Sequence, residues 1–429
     1  MPKLKEGASG GLSGKAEHRK ANGGRGMSMV AGELTDYVAE TDLDDTFDFS
    51  RPLVPDALNP GSVFLTGATG LVGPSLLREL MNRTSADVFC LVRGADDANA
   101  RGRLIEHLRA YCVWREDFAA RLHVLAGDIS QPLMGLNSDR FHQLAHQIGT
   151  IYHSAGKLHM AYSYSQMKAA NVTGTREVLR LACTEYTRPV HFVSSLAVCF
   201  SDLVAGGRLK ESDTPEYHPS LKGGYSKTKW VADQMVARAG ERGLPVTIYR
   251  SVRIMGDSRT GINHDYGDLL PILLRGCVLL GRCPDLDIKV TMVPVDYVGQ
   301  AIVSIAGRKE SWGRAFHMFN RAPIEWNHLM DILRSHGYYL ESMSWEDWRR
   351  ELKRRSLDTS EPEENRKALS KLMLVMTAPH FLFYNRPELD DTNLREGLRG
   401  TGITCGPVDA LIPAYISFWQ RQGYLPKPE

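Results

Sequence analysis

Tyr225 and Lys229 stand four residues apart in Gly223-Gly224-Tyr225-Ser226-Lys227-Thr228-Lys229-Trp230, which runs into the apolar positions Val231, Ala232, Met235 and Val236. On a helix that spacing puts both side chains on one face, a turn from each other. A phenol with an ordinary pKa of about 10 is a poor acid–base group at neutral pH, and a neighbouring ammonium stabilises its phenolate. The same ammonium can hold the ribose hydroxyls of a nicotinamide nucleotide. Lys227, two residues from Tyr225, points elsewhere on such a helix. Upstream, Val190-His191-Phe192-Val193-Ser194-Ser195 reads as a strand whose end offers Ser195 as a second donor into the same space. A hydroxyl, a phenol and an amine so arranged suit negative charge developing on a carbonyl oxygen. A Tyr/Lys pair alone occurs on many helices, so its meaning depends on what surrounds it.

The elements that must position these groups begin at Ser62-Val63-Phe64-Leu65-Thr66-Gly67-Ala68-Thr69-Gly70-Leu71-Val72-Gly73. A buried-strand pattern runs into a glycine-spaced turn and then into helical periodicity at Leu76, Leu77 and Leu80, which is how a βα unit opens onto a pyrophosphate. Gly67 permits the sharp turn, Gly70 lets the backbone approach phosphate, and Gly73 lets the helix pack close to the strand. The helix N-terminus adds free N–H groups and the positive dipole end. Thr66, Gly67, Thr69, Gly70, Leu71 and Gly73 are therefore candidate cofactor contacts.

The second strand, Asp87 to Arg93, ends in arginine where an NAD enzyme typically carries a carboxylate for the adenosine ribose. Arg93, with Arg101 and Arg103 on the next helix, would pair with a 2′-phosphate and so select NADPH. An exposed arginine after a strand is the bland account. Arg121 to Ile129 reads as a third strand ending beside the adenine, with Asp128 as acceptor and Ile129 packing on the ring. Thr150 to Ser154 is the fourth, and Ala155-Gly156 are small enough for the nicotinamide riboside to approach the backbone. A helix over Asn171 to Cys183 leads to the strand ending in Ser195. This alternation predicts an α/β fold: a Rossmann-type doubly wound parallel sheet, with a smaller, mostly helical C-terminal substrate lobe.

Composition bounds the function. The 429 residues, 43% hydrophobic and 24% charged, suffice for a large core and two lobes. A net charge of +2 argues against bulk nucleic-acid binding. The seven cysteines are scattered without a CxxC pair and read as reduced thiols of a cytoplasmic protein. The fourteen histidines show no metal-site spacing, so no metal is expected. Leu269 to Leu280 is too short and too broken, by Arg275, to span a bilayer.

Residues 1–55 read as a flexible basic tail (Met1 to about Met29) followed by an acidic linker from Glu33 to Asp48. Residues 56–255 form the expected NADP-binding domain and 256–429 the substrate lobe, with a segment at about 290–305 returning to the first. Asp296 in that segment reads as a structural hydrogen-bonding residue rather than a catalyst. Trp345 to Leu352 opens an amphipathic helix continuing through Arg349, Arg350, Lys353, Arg354 and Arg355. It is either a docking surface for an acidic partner or a solvated face, and the second account is the simpler. His380-Phe381-Leu382-Phe383-Tyr384 is a candidate acyl-pocket lining or plain core.

With these residues assembled, the chain resembles the extended short-chain dehydrogenase/reductases, and within them the thioester reductases: terminal R domains of nonribosomal peptide and polyketide synthases, carboxylic acid reductases and aminoadipate reductase. The resemblance runs from about Val38 to Pro428. It is carried by Val38 to Asp44, Val63 to Gly73, Cys90-Leu91-Val92-Arg93 with Arg103, Gly127-Asp128-Ile129, His191 to Val198, Tyr225 to Lys229, Pro294 to Val298 and Gly402 to Cys405. It implies a catalytic triad of Ser195, Tyr225 and Lys229, with Lys229 also on the cofactor. It further implies NADPH, and a phosphopantetheinylated acyl or peptidyl carrier protein that delivers a thioester for reductive release as an aldehyde, or onward to an alcohol. It implies a monomer or part of a larger synthase, with no membrane and no nucleic acid. Two departures stand out: Arg250-Ser251-Val252-Arg253 where relatives often have Arg-Pro-Gly, and His153-Ser154-Ala155-Gly156 in place of His-x-Ala-Ala. The competing readings are an epimerase or dehydratase of a nucleotide sugar, which commonly keeps NAD and fits Arg93 poorly, and a non-catalytic NADP-sensing protein, which needs no triad. A domain that cyclises its thioester without redox chemistry generally lacks the tyrosine, and a membrane-associated fatty acyl reductase would need an anchor.

Overall fold

The computed structural model describes residues 36–159, 161–201, 207–376 and 387–428. The basic tail, Glu33 and the run from His380 to Tyr384 lie outside the described residues. Seven strands form one parallel sheet: β1 (Ser62–Thr66), β2 (Asp87–Val92), β3 (Leu122–Ala126), β4 (Thr150–His153), β5 (Val190–Ser195), β6 (Val246–Ser251) and β7 (Arg314–Met318). Their order is β7-β6-β5-β4-β1-β2-β3. Strands β1, β4 and β6 are buried almost end to end, as a parallel sheet covered on both faces requires. Strand order reverses between β1 and β4, which pair with Thr66 opposite His153. In such a sheet the ligand crevice opens at the carboxyl ends of those two strands.

The first helices are α1 (Gly73–Arg83), α2 (Asp97–Ala110) and α3 (Ser138–Gln147). The helix expected from Asn171 starts earlier. A short α4 (Tyr164–Lys168) leads through one π-turn (Ala169–Thr173), where Asn171 is buried, into α5 (Gly174–Ala182). The helix opening at Gly223-Gly224 is α6 (Gly223–Glu241).

A second apolar core forms around α7 (Leu269–Leu280), the run considered for a bilayer span. The next helix, α8 (Val295–Ala306), belongs instead to the first core and packs on α1, where a Cβ on Gly299 would lie 2.3 Å from Ser75 Oγ. The chain then supplies β7, a seventh strand that the sequence pattern does not separate from the substrate lobe. Helices α9 (Trp326–Ser335), α10 (Trp345–Leu357), α11 (Glu363–Val375), α12 (Thr392–Gly397) and α13 (Val408–Arg421) are the remaining described α-helices, and four two-stranded sheets lie outside the main one. Asp296 has both carboxylate oxygens taken by Ser258, from its N–H at 2.8 Å and its hydroxyl at 2.6 Å.

The acidic segment is not a free linker. Glu40 accepts hydrogen bonds from the Tyr164 hydroxyl and from Lys168 Nζ. Arg176 on α5 donates to the carbonyls of Glu40 and Asp42, and Arg242 to those of Leu43 and Phe47. Phe47 and Phe49 are buried, with Arg180 over one ring and Arg242 over the other. Its polar groups are matched by Lys168 and by two arginine pairs four positions apart, Arg176 with Arg180 and Arg238 with Arg242, which the local sequence does not reveal.

Candidate active site

The glycine turn is built for close approach. Gly67 has φ +80°, and a Cβ there would sit 2.6 Å from the Ala155 nitrogen; one on Gly73 would sit 2.2 Å from the Gly67 carbonyl oxygen. The turn therefore packs against both α1 and the Ala155-Gly156 segment, leaving Thr69, Gly70 and Leu71 partly or fully exposed at the crevice. Thr66 differs from expectation. Its side chain is buried, bonded to His153 Nδ1 at 2.7 Å and accepting from Ala155 N–H at 3.3 Å, so it ties β1 to β4 rather than reaching outward.

A cleft of about 790 Å³ continues past the tips of β2 and β3, lined among others by Arg93, Asp96, Asp97, Gly127, Asp128 and Arg140. Arg93 is exposed there, and Arg103 donates to its carbonyl. Arg101 is not part of that cluster: its guanidinium donates to the Leu122 and Ala119 carbonyls. Asp97 accepts from Ala126 N–H and Arg140, both at 2.7 Å, and Asp96 caps α2 through Asn99 N–H, so these carboxylates already have protein partners. Asp128 Oδ1 accepts from Ser130 N–H at 2.9 Å and its hydroxyl at 2.7 Å, while Ile129 packs against Gly174. A glycine cradle and an open cleft at the strand tips together fit a nicotinamide dinucleotide, and the Arg93 guanidinium helps hold the nearby Asp128 carboxyl below its usual range.

Further along the crevice, Ser195 ends β5 and Tyr225 and Lys229 lie on one face of α6. Gly223 has φ +77°, and a Cβ on Gly224 would meet the Ser163 carbonyl carbon at 2.4 Å. The glycine pair thus lets the first turn of α6 lie against the start of α4. Burial pushes the Tyr225 phenol up to about 12, a hydrogen bond with Ser195 pulls it back, and Asp268 and Asp265 add to the rise. Burial lowers the Lys229 ammonium to about 8, and Asp233 opposes that fall. Lys229 Nζ donates to the Val193 carbonyl at 2.8 Å and lies 4.2 Å from the centroid of the Phe192 ring. Lys227 turns away to the Tyr37 ring.

Several neighbours were not singled out from the sequence. Asn171 in the π-turn accepts from Lys157 N–H at 2.6 Å and donates to the Lys157 carbonyl and to Thr228 Oγ1, tying the loop after β4 to α6. The Arg250-Ser251-Val252-Arg253 departure resolves into two ion pairs. Arg250 is buried on Asp233, and Arg253 Nε meets Asp268 at 2.6 Å. Asp233 carried a usable signal, because it stands four residues beyond Lys229 on the same face. His153 is buried between Thr66 and Thr175 hydroxyls, and burial with nearby Lys229 lowers it to about 3. On α10, Arg350 and Arg354 pair with Asp347 and Glu351 on their own helix, the pattern of a solvated face. Among the described residues no helix is long and apolar enough to cross a membrane.

The sequence profile of the family described as "Male sterility protein" matches residues 65–302. A linear gramicidin synthase of Brevibacillus parabrevis is 35% identical over 329 residues, 75% of this chain and 6% of that protein. L-2-aminoadipate reductase of Saccharomyces cerevisiae is 31% identical over 444 residues, 95% of this chain and 32% of that one. The chain thus spans about a third or less of these relatives' length. Among solved structures, the terminal R domain from the myxalamid PKS-NRPS biosynthetic pathway superposes with a TM-score of 0.84 at 36% identity, covering 92% of this chain and 99% of that one.

Proposed function

We propose a function from one premise: this chain belongs to the male sterility protein family, among the terminal reductase domains of peptide and polyketide synthases. It reduces an acyl or peptidyl thioester, carried on the phosphopantetheine arm of a carrier protein, to an aldehyde at the expense of NADPH. What supports this reading above all is that Tyr225 and Lys229 lie one turn apart on α6, with Ser195 at the end of β5 acting on the phenol, at the carboxyl edge of a sheet whose glycine turn can cradle a dinucleotide. The choice of NADPH rests on Arg93, exposed at the tip of β2 while the nearby carboxylates are engaged.

When bound, the reduced nicotinamide supplies a hydride to the thioester carbonyl carbon. As the C=O π pair moves onto oxygen, Ser195 and Tyr225 hydrogen-bond the developing oxyanion. Tyr225, whose phenol stays protonated at neutral pH, gives that oxygen its proton and leaves a hemithioacetal. Lys229 stabilises the resulting phenolate. The hemithioacetal then collapses: its C–S bond breaks, the hydroxyl gives up its proton as the carbonyl re-forms, and the departing sulfur leaves as a thiol. The aldehyde is released.

The test is a panel of pantetheine thioesters offered with NADPH. Loss of the reduced-nicotinamide absorbance and an aldehyde or alcohol in the mass spectrum are expected. No oxidation with any thioester, alongside turnover of a nucleotide sugar, overturns the reading.

A further inference from the structure

Three elements carry the proposed triad or lie beside it, and one carboxylate touches all three. Asp233, fully buried on α6, accepts through Oδ2 from the Ser194 hydroxyl at 2.5 Å and from Arg250 Nε at 3.2 Å. Its Oδ1 accepts from Arg250 Nη2 at 2.9 Å. Ser194 is the residue before Ser195 on β5, Arg250 lies on β6, and Asp233 follows Lys229 by one turn of α6. Arg250 is itself 2% exposed and completes its bonding on the Asp213 carbonyl at 3.0 Å. An ion pair this deep is a poor source of stability, because desolvation offsets most of the attraction. Its survival in the core calls for another role.

We propose that Asp233 is a positioning residue for the reaction: its carboxylate holds the Ser195 strand end against the Tyr225–Lys229 helix, and Asp233 and Arg250 together set the charge balance in which Lys229 works. The proposal rests on the reduction assigned above. Lys229 is faced by few other charged groups. From its own helix come Tyr225 and Asp233; from β5 come the Val193 carbonyl, the Phe192 ring and the Ser194 hydroxyl. From β4 comes His153, and across Asp233 from β6 comes Arg250. Burial raises the nearby Cys199 thiol to about 12, so it stays neutral. Asp213 also acts on Arg250, whereas Asp233 is the carboxylate that acts on Lys229, so the Lys229 ammonium, already lowered to about 8, depends on Asp233 to persist.

This arrangement makes opposite predictions for its two members. Asp233→Asn removes the carboxylate that acts on Lys229 and leaves Arg250 with Asp213, so the alkaline limb of kcat/KM for thioester reduction moves down by about one pH unit or more. Arg250→Met leaves Asp233 to Lys229 alone, so the same limb moves up. A merely structural carboxylate would lower activity in both variants without displacing the limbs in opposite directions, and limbs that move together or stay put overturn the proposal. A wild-type chain that does not reduce thioesters sinks the assigned reaction instead, which keeps the two failures apart. Should the charge variants not fold, Ser194→Ala and Ser194→Thr carry the test. Removing the hydroxyl is expected to lower kcat several-fold with NADPH affinity unchanged, and threonine to restore it. Full activity in Ser194→Ala, or no rescue by threonine, counts against it.

Discussion

Tyr225 holds its proton at neutral pH because burial, with Asp268 and Asp265 nearby, lifts its phenol to about 12. A donor in a reduction needs that state. Tyr225→Phe is expected to cut kcat by about 10²–10⁴-fold while NADPH affinity, measured by nicotinamide fluorescence, stays within a few-fold. Near-normal turnover would contradict the role. Lys229 titrates the other way: its ammonium is the useful form, and it is lost as pH rises through about 8. The alkaline limb of kcat/KM should therefore fall near pH 8, and a flat profile to pH 10 would count against it. At the far end of the crevice, Arg93→Ala should weaken NADPH by about tenfold or more while barely changing NADH, since the role proposed for Arg93 is a charge-assisted bond to the 2′-phosphate alone. Equal loss with both nucleotides would assign Arg93 to packing.

Helix α6 bears the phenol and ammonium of the proposed triad on one side and receives the acidic leader on the other. Arg238 and Arg242 near its end grip Asp42 and the Leu43 and Phe47 carbonyls, and Glu40 meets α4 at the point where Gly224 lets α4 and α6 touch. The leader thus belongs to the scaffold that orients the site. Phe47 is buried, and Phe47→Ala should cost about 3–5 kcal/mol of folding stability. Chemical denaturation would read this directly, and a loss below about 1 kcal/mol would mean that the leader is only loosely attached. In sequence the leader shows as charge without periodicity. Its aromatic anchors find arginines more than a hundred residues away, and local pattern carries no trace of such a pairing.

Across the whole molecule, the nucleotide lobe and the second apolar core meet around the crevice. Arg253, just past β6, bonds Asp268, which also caps α7 through Leu270 N–H at 2.9 Å. Tyr415 on α13 donates to the Gly256 carbonyl at 3.1 Å, and Arg78 on α1 meets Asp257 at 3.3 Å. The Arg253–Asp268 pair is one-fifth exposed on each side, so breaking it should cost about 1–2 kcal/mol. Arg253→Met is expected to raise the thioester KM more than it lowers kcat, with NADPH affinity little changed, because Asp268 lies close enough to Tyr225 to act on its phenol. A loss confined to NADPH binding would place the pair on the cofactor instead.

The sequence alone determined what depends on neighbours along the chain: the glycine turn between β1 and α1, the strand ending in Ser195, the helical face shared by Tyr225 and Lys229, and the alternation that makes a parallel sheet. These follow from backbone sterics and from the periods 2.0 and 3.6, which a few consecutive residues suffice to display. Only the tertiary structure decided that Thr66 turns inward to His153, that Arg101 serves backbone carbonyls, that Arg314–Met318 returns as a seventh strand, and that Arg250 neutralises Asp233. Each is a contact between groups far apart in sequence, chosen because a buried polar group must find a partner and the folded chain brings that partner within reach.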